Sequence, residues 1–396
     1  MHQSNRDPSR RHQIIWRVAR PFTKAYFKLA VNFTAGPVPK LEGPHLILIN
    51  HVTDLDPFLS VGSFPQHMYF LASEHVYRMG FLSKLLAYLV SPITKVKGTS
   101  DATAVLQMMR TLRKGHSVCF FPEGSRTFSG ETIAIHPTTA KMIQKAGVPL
   151  VTYRISGGYL TSPRWAKKNR RGACSGQFVA RYTPEELKAM TTDQVAELIS
   201  RDLYENAFEA QKTAPVKYRC SAMAEGLEEA LYICPVCGET GTLRGMKDHF
   251  RCSCGLDVKL DAYGFFQKGT ENGPQPPFET ILDWFRWQEQ QLSALLPGDP
   301  ETPFFADDGF DLFVVGSDHS DTLEASGLLA LYPDRLVLAD RTFPLTEISE
   351  LAIIHRKKRE SLLFTADGVN YEISSPLRHA SRSKYHTLFQ LLKAQA

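Results

Sequence analysis

The chain contains 396 residues, more than a single hydrophobic core normally holds, so its length predicts about two or three domains. Hydrophobic residues account for 43% of the chain and charged residues for 22%, which excludes a disordered or fibrous protein. Lysine and arginine number 46 and aspartate and glutamate 41, giving a formal net charge of +5. This excess suits an anionic surface or ligand but is too small to indicate a nucleic-acid-binding protein.

Neither a membrane-spanning helix nor a secretory signal is expected from the sequence. The best apolar stretch, from Met79 to Ile93, is interrupted by Lys84 and falls short of the ~18 residues that cross a bilayer. The N-terminal residues are polar, and Arg17 and Arg20 break the apolar run that a signal peptide needs. We therefore expect a cytoplasmic protein that is peripheral on the cytoplasmic face of a membrane.

Basic and apolar residues fall on opposite sides of a helix predicted near the N-terminus. The cations are Arg17, Arg20, Lys24 and Lys28, and the apolar residues are Ile15, Val18, Phe22, Tyr26 and Leu29. Steps of three and four place each set on one face, and Pro21 marks the position for a kink. We predict that residues 1–35 dock on an anionic membrane surface. The later cluster Arg164, Trp165, Lys167, Lys168, Arg170 and Arg171 supports the same interpretation, with a solvated loop as the alternative.

Short apolar runs alternate with helical patterns between residues 46 and 153. Strands are predicted over residues 46–50, 117–121 and 148–153, and helices over residues 102–114 and 138–146. This alternation predicts an α/β fold in which helices flank a mixed, largely parallel sheet. A further helical stretch opens at Thr183 and Pro184 and is expected to reach about Gln211, so we assign residues 36–215 to this domain.

The pattern of the chain changes after residue 215. Residues 231–260 contain a cysteine cluster, and an aromatic-rich linker helix is predicted within residues 275–297. Short alternating strands follow within residues 304–396, with turn signals at Pro333-Asp334 and Asp367-Gly368 and a helix at the end. We predict a β-meander domain closed by a helix. It resembles a pleckstrin-homology domain in topology alone, so no ligand follows from that resemblance.

Four of the seven cysteines are clustered, and we predict that they bind a structural zinc ion. Disulfides are not expected in a reducing compartment, whereas two closely spaced pairs supply four thiolates for tetrahedral Zn²⁺. The predicted ligands are Cys234, Cys237, Cys252 and Cys254. Only Ser253 separates the second pair, which leaves His249 as a substitute ligand, and redox cysteines or chance are the alternatives. We expect a zinc ribbon that stabilises the fold of this segment and binds no nucleic acid.

A histidine follows the predicted strand 46–50, and an aspartate comes five positions later. A carboxylate on one imidazole nitrogen fixes the tautomer, so that the other nitrogen can take a proton from a hydroxyl. His51 and Asp56 are therefore candidates for a general base and the residue that orients it. The alternative is structural, because Asp56 followed by Pro57 is also a good helix start, with the aspartate as cap and the proline at the first position.

A second polar motif, FPEGSR, ends at Arg126 and begins on the last residue of the predicted strand 117–121. Gly124 lets the backbone approach a ligand closely, and the Arg126 guanidinium can hold a phosphate through two parallel hydrogen bonds. Ligands of α/β proteins commonly bind at strand ends, where both motifs lie. The alternative for this segment is an ordinary polar turn.

The two motifs together resemble those of the glycerolipid acyltransferases, most closely the 1-acylglycerol-3-phosphate acyltransferases. That family carries a His, four residues and an Asp, then a Phe-Pro-Glu-Gly-(Ser/Thr)-Arg block, matched here by His51, Asp56 and residues 121–126. Its Val-Pro-(Ile/Val)-Val strand is similar to residues 148–151. Its upstream arginine is matched by Lys97, which keeps the charge and loses the planar fork. The resemblance covers residues 40–210.

This resemblance implies an enzyme without a catalytic cofactor that transfers a fatty acyl group from a thioester of coenzyme A or acyl carrier protein. The implied acceptor is a lysophospholipid at the membrane surface, with 1-acylglycerol 3-phosphate converted to phosphatidic acid. His51 is implied as the base and Asp56 as its orienter. The implied substrate-binding residues are Lys97, Glu123, Gly124, Ser125, Arg126 and Pro149.

Other functions stay open at the level of the sequence. A non-catalytic adaptor would bind membrane lipid through a degenerate fold of this family while the other modules recruit a partner, and intact His51, Asp56 and Arg126 argue against it. An acyltransferase acting on a different acceptor, such as a glycolipid, is a second alternative. A zinc-ribbon nucleic-acid binder needs a long basic face near Cys252, which the sequence does not show.

Overall fold

The computed structural model describes residues 8–73, 93–95, 102–316, 320–356, 359–376 and 381–395. These residues form two compact units. The first comprises the described residues up to Cys220 together with Ala262–Gly264, and the second comprises Ser221–Asp261 and the described residues from Phe265 onward. Within the described ranges, no helix combines the length and the apolar character needed to cross a bilayer.

Helices and strands alternate in the first unit, and strands predominate in the second. The helices are α1 Pro8–Val31, α2 Asp56–Ser63, α3 Ala102–Arg113, α4 Thr138–Ala146, α5 Gly158–Thr161, α6 Pro184–Ala189, α7 Thr192–Leu203, α8 Ala207–Thr213, α9 Ile281–Ala294 and α10 Arg382–Gln395. The strands of the first unit are β1 Phe33–Ala35, β2 Leu46–Ile49, β3 Met68–Ser73, β4 Ile93–Lys95, β5 Ser117–Phe120, β6 Leu150–Ser156 and β7 Cys174–Tyr182. Those of the second are β8 Leu243–Met246, β9 His249–Cys252, β10 Asp257–Leu260, β11 Phe266–Lys268, β12 Phe305–Val315, β13 Asp321–Leu331, β14 Arg335–Leu338, β15 Arg341–Pro344, β16 Leu351–Arg356, β17 Arg359–Ala366 and β18 Val369–Ser374.

A mixed sheet in the order β1-β7-β6-β2-β5-β3-β4 forms the middle of the first unit. Its neighbouring strands are parallel apart from β6 and β7, which confirms the predicted mixed, largely parallel sheet. Alternate residues of β2 face opposite sides, so Ile47 packs in the core with α1 and α2, whereas Leu48 packs with α3, α4 and α7. Because helices cover both faces, β2 is apolar throughout.

Strands β1, β3, β4 and β7 of this unit were not predicted, and one predicted helical stretch is divided in the structure. Strand β7 was not predicted, because its small and polar residues interrupt the alternation that marks a strand. The helical stretch expected from Thr183 to about Gln211 consists of three helices, α6, α7 and α8, and Thr183 caps the first of them with Pro184 in its first turn, as predicted. Thr191 starts α7 as a new helix through a capping box with Gln194, which provides a local reason for the break.

Helix α1 continues through Pro21 and packs one face on the sheet. The buried Trp16 indole donates a hydrogen bond to the Phe64 carbonyl over 3.0 Å. Nearer the start of the helix, Nδ1 of the buried His12 lies 3.1 Å from the Tyr69 hydroxyl. The predicted amphipathic helix therefore has a buried face in addition to its basic and apolar sides.

The apolar side predicted for α1 is open to solvent. Its exposed fractions are 58% for Val18, 72% for Phe22, 64% for Tyr26 and 75% for Leu29. Ile15 is partly buried, and Ile14 is exposed in its place. A continuous row of large apolar side chains on a helix surface indicates a surface that binds something apolar.

The second unit contains a small antiparallel sheet in the order β11-β10-β9-β8. Trp284 of α9 packs against it, with ring centroids 5.4 Å from Phe250 and 5.6 Å from Phe266. The Trp284 indole also donates to the Ile233 carbonyl over 3.0 Å. The aromatic residues of α9 therefore contribute to the core of this sheet.

Strands β12 to β18 form an antiparallel sheet closed by α10, as predicted for the C-terminal region. β12 pairs with β18, so two meanders join there and the strands are not in one consecutive order. Asp367 and Gly368 both have positive φ angles in the turn between β17 and β18, as a two-residue hairpin requires. Tyr385 of α10 contacts the ring of Phe305 at 5.9 Å between centroids, which fixes the helix on the sheet.

Candidate active site

Two neighbouring parallel strands bring both sequence motifs to one edge of the first sheet. β2 pairs with β5 so that Leu48 lies opposite Phe120. His51 and Glu123 each come three residues later, just beyond the carboxyl ends of these strands. The His51 backbone N–H donates a hydrogen bond to Glu123 Oε1 over 2.6 Å. The register of two strands therefore sets the distance between the two motifs.

The imidazole of His51 is held by the carboxylate of Asp56. His51 Nδ1 lies 2.9 Å from Asp56 Oδ2, which also accepts the backbone N–H groups of Val52 and Thr53 over 2.7 and 2.9 Å. The Thr53 hydroxyl donates to Asp56 Oδ1 over 2.7 Å. Asp56 is fully buried, whereas the His51 side chain is 21% exposed. Four donors thus hold the carboxylate in one orientation, and the carboxylate holds the ring.

This arrangement favours one tautomer of His51. Because Nδ1 donates its hydrogen to a carboxylate, Nε2 carries the lone pair. The ring also stacks on Phe121, with centroids 4.4 Å apart and planes inclined by 21°. Within the described part of the chain, no side chain is hydrogen-bonded to Nε2. His51 is therefore oriented by packing and by Asp56, with Nε2 available to take a proton from a hydroxyl.

Asp56 does not cap α2, contrary to the structural alternative considered for it. The helix begins at Asp56 itself, and Leu55 occupies the cap position without a side-chain hydrogen bond. Pro57 lies in the first turn, as that alternative expected. The carboxylate turns back toward residues 51–53, because the donors that satisfy it lie there.

Asn50 is a site residue to which the sequence assigned no role. Its side-chain amide donates to the Ile155 carbonyl over 2.9 Å, and its amide oxygen accepts the Ile155 N–H over 2.7 Å. This exchange extends the pairing of β2 with β6 by one residue and places the next residue, His51, at the sheet edge. The available signal was a polar residue directly after an all-apolar strand.

Glu123 is a buried carboxyl group that holds the backbone of the site. Besides the His51 N–H, it accepts the Ile133 N–H at Oε2 over 2.8 Å. Burial raises the pKa of Glu123 to about 8, although these two N–H donors act in the opposite direction, and the negative charge of Asp56 adds to the rise. Both hydrogen bonds come from backbone groups, which indicates that Glu123 supports the structure of the site.

The rest of the second motif is a tight turn that ends in a mostly buried arginine. Gly124 has a φ of +71°, which a residue with a side chain rarely adopts, and its N–H donates to the Phe121 carbonyl over 3.2 Å. The Arg126 side chain is 9% exposed, and its Nη2 lies 3.0 Å from Asp54 Oδ1. The predicted phosphate ligand therefore lies beside the loop that carries His51.

Arg164 supports this turn from a distant part of the chain. Its Nη1 donates to Ser125 Oγ over 2.7 Å and to the Arg126 carbonyl over 3.1 Å. The prediction that the cations and the aromatic ring of residues 164–171 contact a membrane is wrong for two arginines and the tryptophan. Arg164, Trp165 and Arg170 are buried. The Arg170 guanidinium lies 4.8 Å from the Trp165 ring centroid, so part of the cluster is a packed core.

One predicted substrate-binding residue, Pro149, lies away from this edge of the sheet. The Pro149 carbonyl accepts the Leu46 N–H over 3.0 Å at the start of β2, five residues before His51. At about 3.3 Å per residue this is a separation of roughly 16 Å along the strand, because β2 and β6 are parallel. Lys97 lies outside the described residues. The predicted residues that come together are His51, Asp56, Glu123, Gly124, Ser125 and Arg126.

An open, mainly apolar groove of about 460 Å³ lies between α1 and α2. Residues that line it include Phe22, Tyr26, Phe27, Val31, Leu55 and Phe58. One wall residue, Leu55, belongs to the loop between His51 and Asp56. Another part of the wall is formed by the exposed apolar side of α1.

The four clustered cysteines of the second unit fit a tetrahedral zinc ion. Zinc–sulfur bonds of about 2.3 Å place the sulfur atoms of a tetrahedron about 3.8 Å apart. Cys234 Sγ lies 3.7 Å from Cys254 Sγ, and Cys237 Sγ lies 3.8 Å from Cys252 Sγ. All four sulfur atoms lie within 4.8 Å of one another. The four sulfur atoms therefore lie close enough together to hold one metal ion.

His249 is not part of this cluster, although it was considered as a substitute ligand. Its Nδ1 lies 2.8 Å from Asp257 Oδ1 on the neighbouring strand. The short Cys-Ser-Cys spacing is accommodated by a turn in which the Gly255 N–H donates to the Cys252 carbonyl over 3.1 Å. With a φ of +101° at Gly255, the chain turns sharply enough for Cys254 to reach the other sulfur atoms.

Comparison with known proteins bears on the first unit. Residues 18–156 match the family model described as Acyltransferase, and this segment contains both motifs. The match, together with the relatives described next, confirms the resemblance found in the sequence. It covers about a third of the chain and ends at the last residue of β6.

Two curated relatives share a limited part of the chain. The 1-acyl-sn-glycerol-3-phosphate acyltransferase of Borreliella burgdorferi is 26% identical over 119 residues, which are 29% of this chain and 48% of that protein. The chloroplastic 1-acyl-sn-glycerol-3-phosphate acyltransferase of Brassica napus is 26% identical over 123 residues, 30% of this chain and 35% of that protein. This chain thus spans about half the length of the first relative and about a third of the second. The crystal structure of PlsC, the 1-acyl-sn-glycerophosphate acyltransferase of Thermotoga maritima, matches with a TM-score of 0.40 and 20% identity, covering 50% of this chain and 82% of that chain.

Proposed function

We propose that the first unit, whose residues 18–156 match the acyltransferase family model, transfers a fatty acyl group to the hydroxyl of a lysophospholipid. The observation that carries the proposal is the His51–Asp56 pair beyond the end of β2, with Nε2 of the imidazole available. The acceptor that we propose is 1-acylglycerol 3-phosphate, which yields phosphatidic acid. Relatives named for this reaction support that choice.

The chemistry follows from the orientation of His51. Nε2 takes the proton of the acceptor hydroxyl while the oxygen attacks the thioester carbonyl carbon, forming a C–O bond. The tetrahedral intermediate then expels the thiolate of coenzyme A or acyl carrier protein as the C–S bond breaks, and the proton passes from His51 to the thiolate. Asp56 stabilises the imidazolium in between. The proton taken from the acceptor hydroxyl leaves with the thiolate, so the reaction needs no catalytic cofactor.

The apolar groove supports a lipid substrate. Its wall includes Leu55, which is adjacent to Asp56, and it extends to Phe22 and Tyr26 on the exposed side of α1. An acyl chain that binds in this groove would bury apolar surface, and each Å² removed from water contributes about 25 cal/mol of favourable free energy. The acyl chain would then lie against the loop that joins His51 and Asp56, so the lipid is held while its head group reaches the base.

We further propose that α1 places the first unit on the cytoplasmic face of an anionic membrane. Replacing Phe22 and Leu29 together with serine should reduce the fraction bound to anionic vesicles at least tenfold, because burying each side chain contributes about 1.5 to 3 kcal/mol. Sedimentation with vesicles measures the bound fraction. Leu106→Ser is the matched control, since Leu106 is 56% exposed on α3. Equal binding by the double variant and the wild type would contradict this docking face.

The charged side of α1 should make the same binding sensitive to salt. The cations involved are Arg17, Arg20, Lys24 and Lys28. Near an anionic surface each contributes about 1 kcal/mol at low ionic strength. Changing all four to glutamine should release the protein from anionic vesicles, and neutral vesicles should bind the wild type less well than anionic ones. Binding that ignores both lipid charge and salt would contradict the electrostatic part.

An acyl-transfer assay tests the reaction and the role of Arg126. It uses purified protein, a labelled acyl thioester and a set of acceptors. Wild type should acylate 1-acylglycerol 3-phosphate better than the matching neutral monoacylglycerol. Arg126→Ala should lower kcat/KM for the phosphate acceptor about ten- to a hundredfold, because a charge-assisted hydrogen bond contributes about 1.5 to 3 kcal/mol. Arg171→Ala is the control, since Arg171 is an exposed arginine of the same unit.

Three outcomes of this assay separate the alternatives. Equal use of the phosphate and neutral acceptors by wild type would overturn the phosphate assignment and favour a different acceptor, such as a glycolipid. Transfer to no acceptor from either donor, by folded protein that binds vesicles, would favour the non-catalytic adaptor. A comparison of acyl-coenzyme A with acyl carrier protein in the same assay identifies the donor.

A further inference from the structure

The loop that carries the base also carries an acidic side chain for which the reaction has no use. Asp54 lies between His51 and Asp56 in sequence, and its side chain is 65% exposed. Asp56 accepts the hydrogen bonds that orient His51, and Asp54 accepts none of these. Among the described residues, the ion-pair partner of Asp54 is Arg126, with Nη2 and Oδ1 3.0 Å apart.

The guanidinium of Arg126 cannot easily move away from this contact. Its side chain is 9% exposed, and its backbone is held through the carbonyl that accepts the Nη1 hydrogen of Arg164 over 3.1 Å. Arg164 is itself buried and stacks on Phe128, with its guanidinium carbon 4.3 Å from the ring centroid. Asp54, by contrast, is exposed on a turn. An anion that arrives at Arg126 therefore displaces or crowds Asp54, and Arg126 stays in place.

From this geometry we propose that Asp54 is a specificity-determining residue that weakens the binding of phosphate-bearing acceptors at Arg126. The proposal rests on the acyl-transfer function proposed above. A carboxylate already paired with the guanidinium competes with the phosphate for the same donors. It also repels the phosphate from a few ångströms away, and more strongly when the phosphate carries two negative charges. A neutral acceptor experiences neither the competition nor the repulsion. Asp54 therefore reduces the preference for phosphate-bearing over neutral acceptors that Arg126 creates.

The steady-state test compares wild type with Asp54→Asn on 1-acylglycerol 3-phosphate and on the matching monoacylglycerol. Asp54→Asn should lower KM for the phosphate acceptor about three- to tenfold with kcat unchanged within about twofold, and should leave the neutral acceptor unaffected. In an Arg126→Ala background the same substitution should have no effect on the phosphate acceptor. Asp193→Asn, at an exposed acidic residue on α7, is the matched control. An unchanged or higher KM in Asp54→Asn overturns the proposal, the higher value showing that Asp54 positions Arg126.

A binding measurement keeps this test independent of turnover. Glycerol 3-phosphate, titrated calorimetrically into the full chain, should bind Asp54→Asn about three- to tenfold more tightly than wild type and should lose its binding in Arg126→Ala. The difference should be larger at pH 7.5 than at pH 5.5, because the second ionisation of a phosphate monoester lies near pH 6. If wild type transfers no acyl group, the proposed function fails while this measurement still decides the role of Asp54. Asp54→Ser serves the same purpose if the asparagine variant does not fold, and equal affinities at both pH values overturn the proposal.

Discussion

Replacing His51 with alanine is expected to lower the turnover of acyl transfer by about 10² to 10⁴-fold, the usual loss when a general base is removed. The residue lies beyond the end of β2 and its side chain is partly exposed, so the sheet should keep its stability. The measurement is kcat with a labelled thioester under saturating acceptor, beside the circular dichroism and melting temperature of the variant. His136→Ala is a matched control, because His136 is exposed and bonds locally to Thr138.

Asp56→Asn should lower turnover in the same direction and should also destabilise the fold. An amide has one acceptor oxygen, whereas the Asp56 carboxylate accepts from His51, Val52 and Thr53 through two. A buried donor left without a partner costs about 1 to 3 kcal/mol.

Turnover close to that of wild type in a folded His51→Ala protein would show that another group takes the proton.

Purified protein is expected to contain one zinc ion per chain, and Cys237→Ser should lose it. Structural zinc sites of this kind contribute about 10 to 16 kcal/mol of apparent binding free energy, which is also folding free energy. Chelation should therefore unfold residues 231–260 locally, while amide protons of β2 and β5 keep their protection in the first unit. Elemental analysis and hydrogen exchange measure the two effects.

Cys220→Ser is the control for the zinc measurement, because Cys220 is outside the four-sulfur cluster. Its zinc content should equal that of wild type. Protein purified without a chelator and found free of zinc would contradict the assignment. Global unfolding on chelation would instead show that the first unit depends on the second for its stability.

Features with local causes could be predicted from the sequence. An all-apolar run such as β2 is buried wherever it lies, and the five-residue spacing of His51 and Asp56 lets the carboxylate reach back to Nδ1 over 2.9 Å. The two cysteine pairs, close in sequence and each followed by glycine, likewise indicated a site with four thiolate ligands before the sulfur atoms were seen together. His51 and Asp56 are five residues apart, and the two cysteines of each pair are two or three residues apart. Such short spacings are visible in the sequence.

Contacts between groups that are distant in sequence depend on the folded arrangement of the strands and could not be predicted. Glu123 reaches the His51 backbone because β2 and β5 are neighbours in register, an order that no local pattern of the chain contains. The cations at Arg164 and Arg170 looked like a membrane surface in sequence, yet both are buried. A charged residue can be solvated or can be buried against a ring or a carbonyl, and the choice depends on packing partners supplied from elsewhere in the chain. The same reason explains the pair of Arg126 with Asp54, which are 72 residues apart and which the sheet brings to 3.0 Å.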